Sequence, residues 1–259
     1  MQTQTSRNSS WRDVLASPPP SAHILQLYDS DAFLINAVAY YAAEGLNRGE
    51  AVLLTGTPAH LEAIRRRISL LGGDADAAEH AGRLLPAGLH AVIEMVRRRA
   101  PFDIVERALA DSRFTGVRWW AEVTSTLHRQ GETELGLEAE HMGDTLAKQR
   151  GVRILCPHQC DKYDPTHYDA MLKDLCCIHS DLIPADNYVE HRLAVNRAVA
   201  DVMGELRGSL LQSLASWQGM RCNGPSSQML LFWLRETLPE HFDAVLRRAR
   251  EYGLQENPS

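Results

Sequence analysis

The sequence predicts an α/β fold: a mostly parallel sheet flanked by helices, continued by an all-α C-terminal extension. Three observations predict it. The stretch from His23 to Thr57, HILQLYDSDAFLINAVAYYAAEGLNRGEAVLLTGT, reads as strand, loop, helix, turn and strand. Further strand-like runs stand at 117–121 and 152–156, with helically spaced apolar residues between them. Beyond Tyr188 the apolar residues keep only a helical spacing.

The first unit sets the pattern. His23 to Tyr28 is a β-prone run, and Asp29-Ser30-Asp31 is a polar break whose acids or serine can cap a helix. Phe33, Leu34, Val38, Tyr41 and Leu46 carry that helix, and Gly45 and Gly49 lie at its exit. Ala51 to Thr55 is an unbroken apolar run, as expected of a strand buried on both faces. One such βαβ unit implies a parallel sheet with a crevice where its strands end.

The remaining elements follow in order. Pro58 opens a helix to about Leu71, with Arg65, Arg66 and Arg67 on a solvated face and Gly72-Gly73 as its stop. Arg83 to Pro86 is a short strand, Gly88 to Arg99 a helix, and Phe102 to Ala110 another after Pro101. Val117 to Ala121 is a strand ending at Glu122, which leads into a helix to about Gln130. Glu134 to Arg150 is helical, Val152 to Cys156 is a strand, and Pro165 to Cys177 is helical. Asp181 to Pro184 leads out of the domain.

Composition excludes several classes. A net charge of −6 offers no basic footprint for nucleic acid. The first 22 residues end in Pro18-Pro19-Pro20 and read as a flexible tail without the apolar core of a signal peptide. No run of about 18 apolar residues suggests a membrane span. Five cysteines, an odd number, with no secretion signal predict reduced thiols and a cytoplasmic location. A hydrophobic fraction of 44% is ample for a core.

The loop after the first strand bears on function. RecA-like ATPases carry there a P-loop, whose backbone N–H groups and lysine cradle phosphate. Here the loop is Tyr28-Asp29-Ser30-Asp31-Ala32, with no glycine, no lysine and two carboxylates. A phosphate would meet like charge, so ATP is not expected as a cofactor.

Five segments carry a resemblance in sequence order: His23 to Tyr28, Glu44 to Glu50, Ala121-Glu122-Val123, Ile154-Leu155-Cys156-Pro157, and His179 to Ala185. Together they resemble the MEDS domain, the methanogen/methylotroph, DcmR-type sensory domain. The resemblance covers about residues 23 to 188. It implies a RecA/KaiC-like fold that has lost its P-loop, in a signalling protein that senses small molecules such as one-carbon or hydrocarbon derivatives. Ala121 stands where that family often has glycine, and His158 where an aromatic is usual.

Candidate site residues follow from the topology. In a parallel sheet the loops after the strands gather at one edge. That places Tyr28, Asp29, Thr55, Glu122 and Cys156 around an expected cavity, with Trp119 and Trp120 as apolar wall and Asp31 and His158 beside them. Glu122 could hold a metal, accept ligand hydrogen bonds or cap the following helix. Glu140 reads as a solvated or salt-bridged helix residue. Cys156, His158, Cys160, Cys176, Cys177 and His179 are soft donors that could bind zinc, iron or copper. Their C-x3-C spacing is looser than a zinc knuckle, and a buried inert thiol is the ordinary state of Cys156. No G-x-S-x-G, H-E-x-x-H or G-x-G-x-x-G occurs, so no catalytic constellation is expected.

The last seventy residues read as helices. Tyr188 to Gly219 predicts one long helix, with Val195, Val199, Val202, Leu206, Leu210, Leu214 and Trp217 as its stripe. Their spacing, about 3.67 residues per step, suits a bundle better than a left-handed coiled coil. Ser226 or Ser227 caps a helix through Thr237, and Pro239 opens a last one stopped at Gly253. His191 lacks the following proline of a kinase phosphoacceptor. From 188 to 259 there are 8 basic and 8 acidic residues, a poor balance for direct DNA binding.

The sequence therefore divides into a tail (1–22), an α/β sensory domain (23–188) and a helical segment (189–259). It predicts a sensory module that binds a small-molecule ligand and signals through 189–259, to a protein partner or a second copy as a homodimer. The alternative is a nucleotide-binding or metal-dependent enzyme using Glu122 and the Cys/His cluster.

Overall fold

Thr57 and Pro58 show how local sequence builds this structure, a computed structural model describing residues 11–168, 170–184, 188–211, 213 and 226–256. Strand β2 (Ala51–Gly56) ends on Thr57, whose hydroxyl accepts the His60 N–H, with Pro58 at the first helical position. Both devices start helix α3 (Pro58–Leu70) directly at the carboxyl end of the strand.

The elements run α1 (Trp11–Ala16), β1 (His23–Tyr28), α2 (Asp31–Asn47), β2, α3, α4 (Ala75–His80), β3 (Leu84–Gly88), α5 (Leu89–Arg97) and α6 (Asp103–Ala110). They continue with β4 (Val117–Ala121), α7 (Val123–Arg129), α8 (Thr133–Arg150), β5 (Arg153–Gln159), α9 (Ala170–Ile178), β6 (Asp181–Ile183) and α10 (Tyr188–Met203). Helices Ser226–Thr237 and Pro239–Glu256 close the described chain. The six strands form one all-parallel sheet in the order β3-β2-β4-β5-β1-β6. Leu53 lies opposite Leu85 on one side and Trp119 on the other, and Trp119 opposite Ile154. Every residue of β2 is buried, as its unbroken apolar run predicts. On one face Leu53, Trp119 and Ile154 pack with Val92, Val105 and Leu127.

The chain divides into two compact units. One comprises residues up to Gln26 together with Ser30–His158; the other comprises Leu27–Asp29 together with Gln159 onward. In the first, Arg118 of β4 is fully buried and acts as an internal clamp. It pairs with Glu50, donates to the carbonyls of Leu15 (2.8 Å), Ala16 (3.1 Å) and Tyr41 (3.0 Å), and lies over the Tyr41 ring. In the second, Tyr168 meets the rings of Phe232 and Phe242 edge-on. Arg197 of α10 lies 4.0 Å from the Tyr252 ring centroid.

Several expectations need correction. Residues 11–22 are no tail: Leu15 is fully buried and the Trp11 ring packs on Phe33 and Tyr40, while residues 1–10 lie outside the described part. Asp181–Ile183 does not lead away from the fold but forms strand β6. The long helix from Tyr188 breaks at Gly204, which adopts φ +84°, a left-handed value that ends α10. Helical structure resumes at 205–211, and the break takes Leu206 (78% exposed) and Leu210 (60%) off the buried stripe of Val195 and Val199. Leu214 and Trp217 lie outside the described residues. Gly253 does not stop the last helix, which continues to Glu256. Among the described residues, no helix is long and apolar enough to cross a membrane.

Candidate functional site

Glu122 directly follows β4, one residue before α7 begins. Its backbone N–H donates to the Thr55 carbonyl (2.8 Å), which fixes it beside the end of β2. The side chain is fully buried, yet it makes no capping hydrogen bond to α7. It reaches across to the neighbouring strand end instead. One oxygen accepts the Thr57 N–H (2.9 Å) and the other lies 2.8 Å from His60 Nδ1. The carboxylate thus sits at the N-terminus of α3, where free N–H groups and the helix dipole favour negative charge. His60 is 17% exposed, and its Nε2 lies 3.7 Å from Asp31 on the open side. The result is a carboxylate–imidazole–carboxylate line running from the interior outward.

Trp120 and Gly56 close the inner wall. A Cβ on Gly56 would stand 2.5 Å from the Trp120 ring and 2.7 Å from Glu122 Oε2, so only glycine allows this approach. Trp120 is fully buried, and its indole N–H has no hydrogen-bond partner among the described residues. Thr55 is buried and its hydroxyl accepts the Trp119 indole N–H (2.9 Å).

The structure brings Asp31, Thr55, Trp120 and Glu122 together at the carboxyl ends of β2 and β4, and adds His60. The other candidates are placed differently. Cys156 was expected to end its strand, but β5 continues through buried Pro157 to Gln159. Its sulfur lies 3.3 Å from His23 Nε2, which lies 3.2 Å from Glu140 Oε2. Burial first, and then the charge and hydrogen bond of Glu140, push the Cys156 thiol well above its usual range. Glu140 is therefore buried and paired, not solvated. His158 is buried against His128, with ring centroids 5.6 Å apart.

In the second unit Tyr28 is buried and its carbonyl accepts the Cys160 N–H (2.8 Å), while Asp29 pairs with Lys162 (2.9 Å). Cys156, Cys160 and Cys176 form no disulfide, and burial pushes the Cys176 thiol up to about 12. Cys177 is disulfide-bonded, contrary to the reduced state predicted for it, and offers no thiolate to a metal. His179 is buried, with Nδ1 2.7 Å from the Leu175 carbonyl.

Two surface pockets among the described residues lie away from the strand ends. One, about 430 Å³, is lined by Asp103, Glu106, Arg107 and Ala110; the other, about 240 Å³, by Trp11, Arg12, Asn36, Tyr40, Arg67 and Leu71. At the strand ends the space expected for a cavity holds the Glu122–His60 pair. His60 escaped the sequence reading, although its position one turn past β2 in Thr57-Pro58-Ala59-His60 marks it as a residue of that edge.

The family described as MEDS, MEthanogen/methylotroph, DcmR Sensory domain, matches residues 22–180. No curated protein matches the chain. Among solved structures the chain is similar to C. elegans PCH-2 at 12% identity, covering 88% of this chain and 69% of that one with a TM-score of 0.23. A score that low carries no argument about fold or function.

Proposed function

The chain belongs to the MEDS sensory family, and on that premise we propose that it is a regulatory module that binds a small molecule and reports occupancy to a partner. Family membership over residues 22–180 is the observation that carries this reading. The ligand engages the Asp31–His60–Glu122 line, with His60 as the open contact. Two carboxylates there disfavour phosphate, so the ligand is neutral or cationic, of the size of a one-carbon or small hydrocarbon derivative. ATP is not the ligand. The helices after residue 188 carry the signal outward. Val189 and Leu193, one helical turn apart, and Leu206 with Leu210 give them exposed apolar surface, as a partner or a second copy would need.

Native mass spectrometry of the protein as purified tests the reading. An added mass of a small organic molecule, lost on Glu122→Gln substitution, is the expected result. An added mass of a nucleotide would overturn it.

A further inference from the structure

The interior of the first unit holds three metal-ligating side chains that the proposed function leaves unused. His23 opens β1, Cys156 lies within β5, and Glu140 lies midway along α8. The Ile154 N–H donates to the Ala22 carbonyl (2.8 Å), which aligns the start of β1 with β5. Helix α8 comes close because it turns a run of small residues inward, Gly136, Ala139, Gly143 and Ala147. A Cβ on Gly143 would already stand 3.5 Å from His23 Nε2. Glu140 projects from this same buried stripe toward His23.

The three donor atoms lie within 4.8 Å of one another, and all three residues are buried. The spacing matches a coordination shell. Tetrahedral zinc with bonds of about 2.0 Å to nitrogen and oxygen and about 2.3 Å to sulfur puts N and O about 3.3 Å apart, and N and S about 3.5 Å apart. The corresponding distances are 3.2 Å and 3.3 Å. His23 Nε2 is the atom turned to both partners, while Nδ1 lies 3.8 Å from Asp144 on the next turn of α8. A carboxylate behind a ligating imidazole is the usual support that orients such a histidine and raises its basicity.

Without a cation, a carboxylate beside a thiol in a dry interior opposes thiolate formation. A divalent ion reverses this, because it draws off the thiol proton and neutralises the carboxylate. We propose that His23, Glu140 and Cys156 bind one divalent transition-metal ion of the zinc class. The donor set, one thiolate, one imidazole and one carboxylate, suits zinc or cobalt and is a poor match for magnesium or calcium. The site is distinct from the Asp31–His60–Glu122 line and does not depend on it.

The test uses the untagged full chain, stripped with chelator and titrated with Co²⁺. The expected result is one ion per chain, with a thiolate-to-cobalt charge-transfer band in the near ultraviolet. Glu140→Gln should weaken binding by about tenfold or more, and Cys156→Ser should abolish the band. X-ray absorption on the wild-type zinc form, which needs no variant to fold, should show one sulfur with nitrogen or oxygen donors. A shell without sulfur would overturn the proposal, as would a cobalt spectrum unchanged in folded Cys156→Ser and Glu140→Gln proteins, or no binding at equimolar metal.

Discussion

Replacing Arg118 with methionine removes the clamp at the centre of the first unit. The guanidinium is fully buried, bound to Glu50, and donates to three carbonyls, two of them at the end of α1. Removing one partner of a buried ion pair costs about 3–5 kcal/mol, because the other charge stays behind. Here Glu50 keeps Arg153 at 3.0 Å, which places the loss at the lower end of that range. The Leu15 carbonyl loses its donor, adding roughly 1 kcal/mol, while Ala16 keeps Arg48 Nε at 3.0 Å and methionine recovers some packing. The expected destabilisation is about 3–4 kcal/mol, or roughly 10 °C in Tm at about 2–4 °C per kcal/mol for a chain of this size. Urea denaturation followed by both circular dichroism and tryptophan fluorescence measures it, since Trp11 on α1 and Trp119 and Trp120 beside Arg118 lie in the unit the clamp holds. Both probes should shift to lower urea. A loss under about 1 kcal/mol would refute the reasoning and show that α1 is held by the burial of Leu15, the Trp11 packing and the Arg48 bond to Ala16 without the clamp.

Further outcomes follow from single residues. His191 is buried beside Ser227 and Tyr163, and desolvation, followed by the Lys162 charge, lowers it to about 4 despite the opposing pull of Asp29. The unfolded chain takes up that proton first, so the stability contributed by neutral His191 is fully present above pH 6.5 and is lost as pH falls from 6.5 toward 4. The loss is about 3 kcal/mol, and a His191→Gln protein should show a flatter stability profile between pH 4 and 6.5 in urea titrations. Gly56→Ala should cost about 1–3 kcal/mol by overpacking against Trp120 and Glu122; an unchanged urea midpoint would show that the wall yields.

The fold was legible wherever local chemistry repeats. The apolar run of β2, the Thr57–Pro58 start of α3, and the glycine that ends α8 each state their element within a few residues. Gly204 was ambiguous, because glycine at a helical spacing costs only about 1 kcal/mol against alanine and does not by itself announce a break. Strand β5 runs past Cys156 through Pro157, since proline removes only one ladder donor. The site was half legible. Glu122 stood out because a parallel sheet brings its strand ends together. His60 supplies its partner from 62 positions away, and no spacing rule reaches that far. The group of His23, Glu140 and Cys156 is longer in range still. Its one local sign is Glu140 within the small-residue stripe of α8, which reads as a polar face until the sheet beside it is known.

The central claim, sensing of a small neutral or cationic molecule at Asp31, His60 and Glu122, is tested most directly by calorimetric titration. Wild-type and Glu122→Gln proteins would each be titrated with methanol, methylamine, trimethylamine and millimolar Mg-ATP. The account predicts saturable binding of at least one neutral or cationic compound, weakened by about tenfold or more in Glu122→Gln, equivalent to about 1.4 kcal/mol. It predicts no saturable heat from Mg-ATP. Saturable Mg-ATP binding, or a small-molecule affinity that Glu122→Gln leaves unchanged in a folded protein, would contradict it.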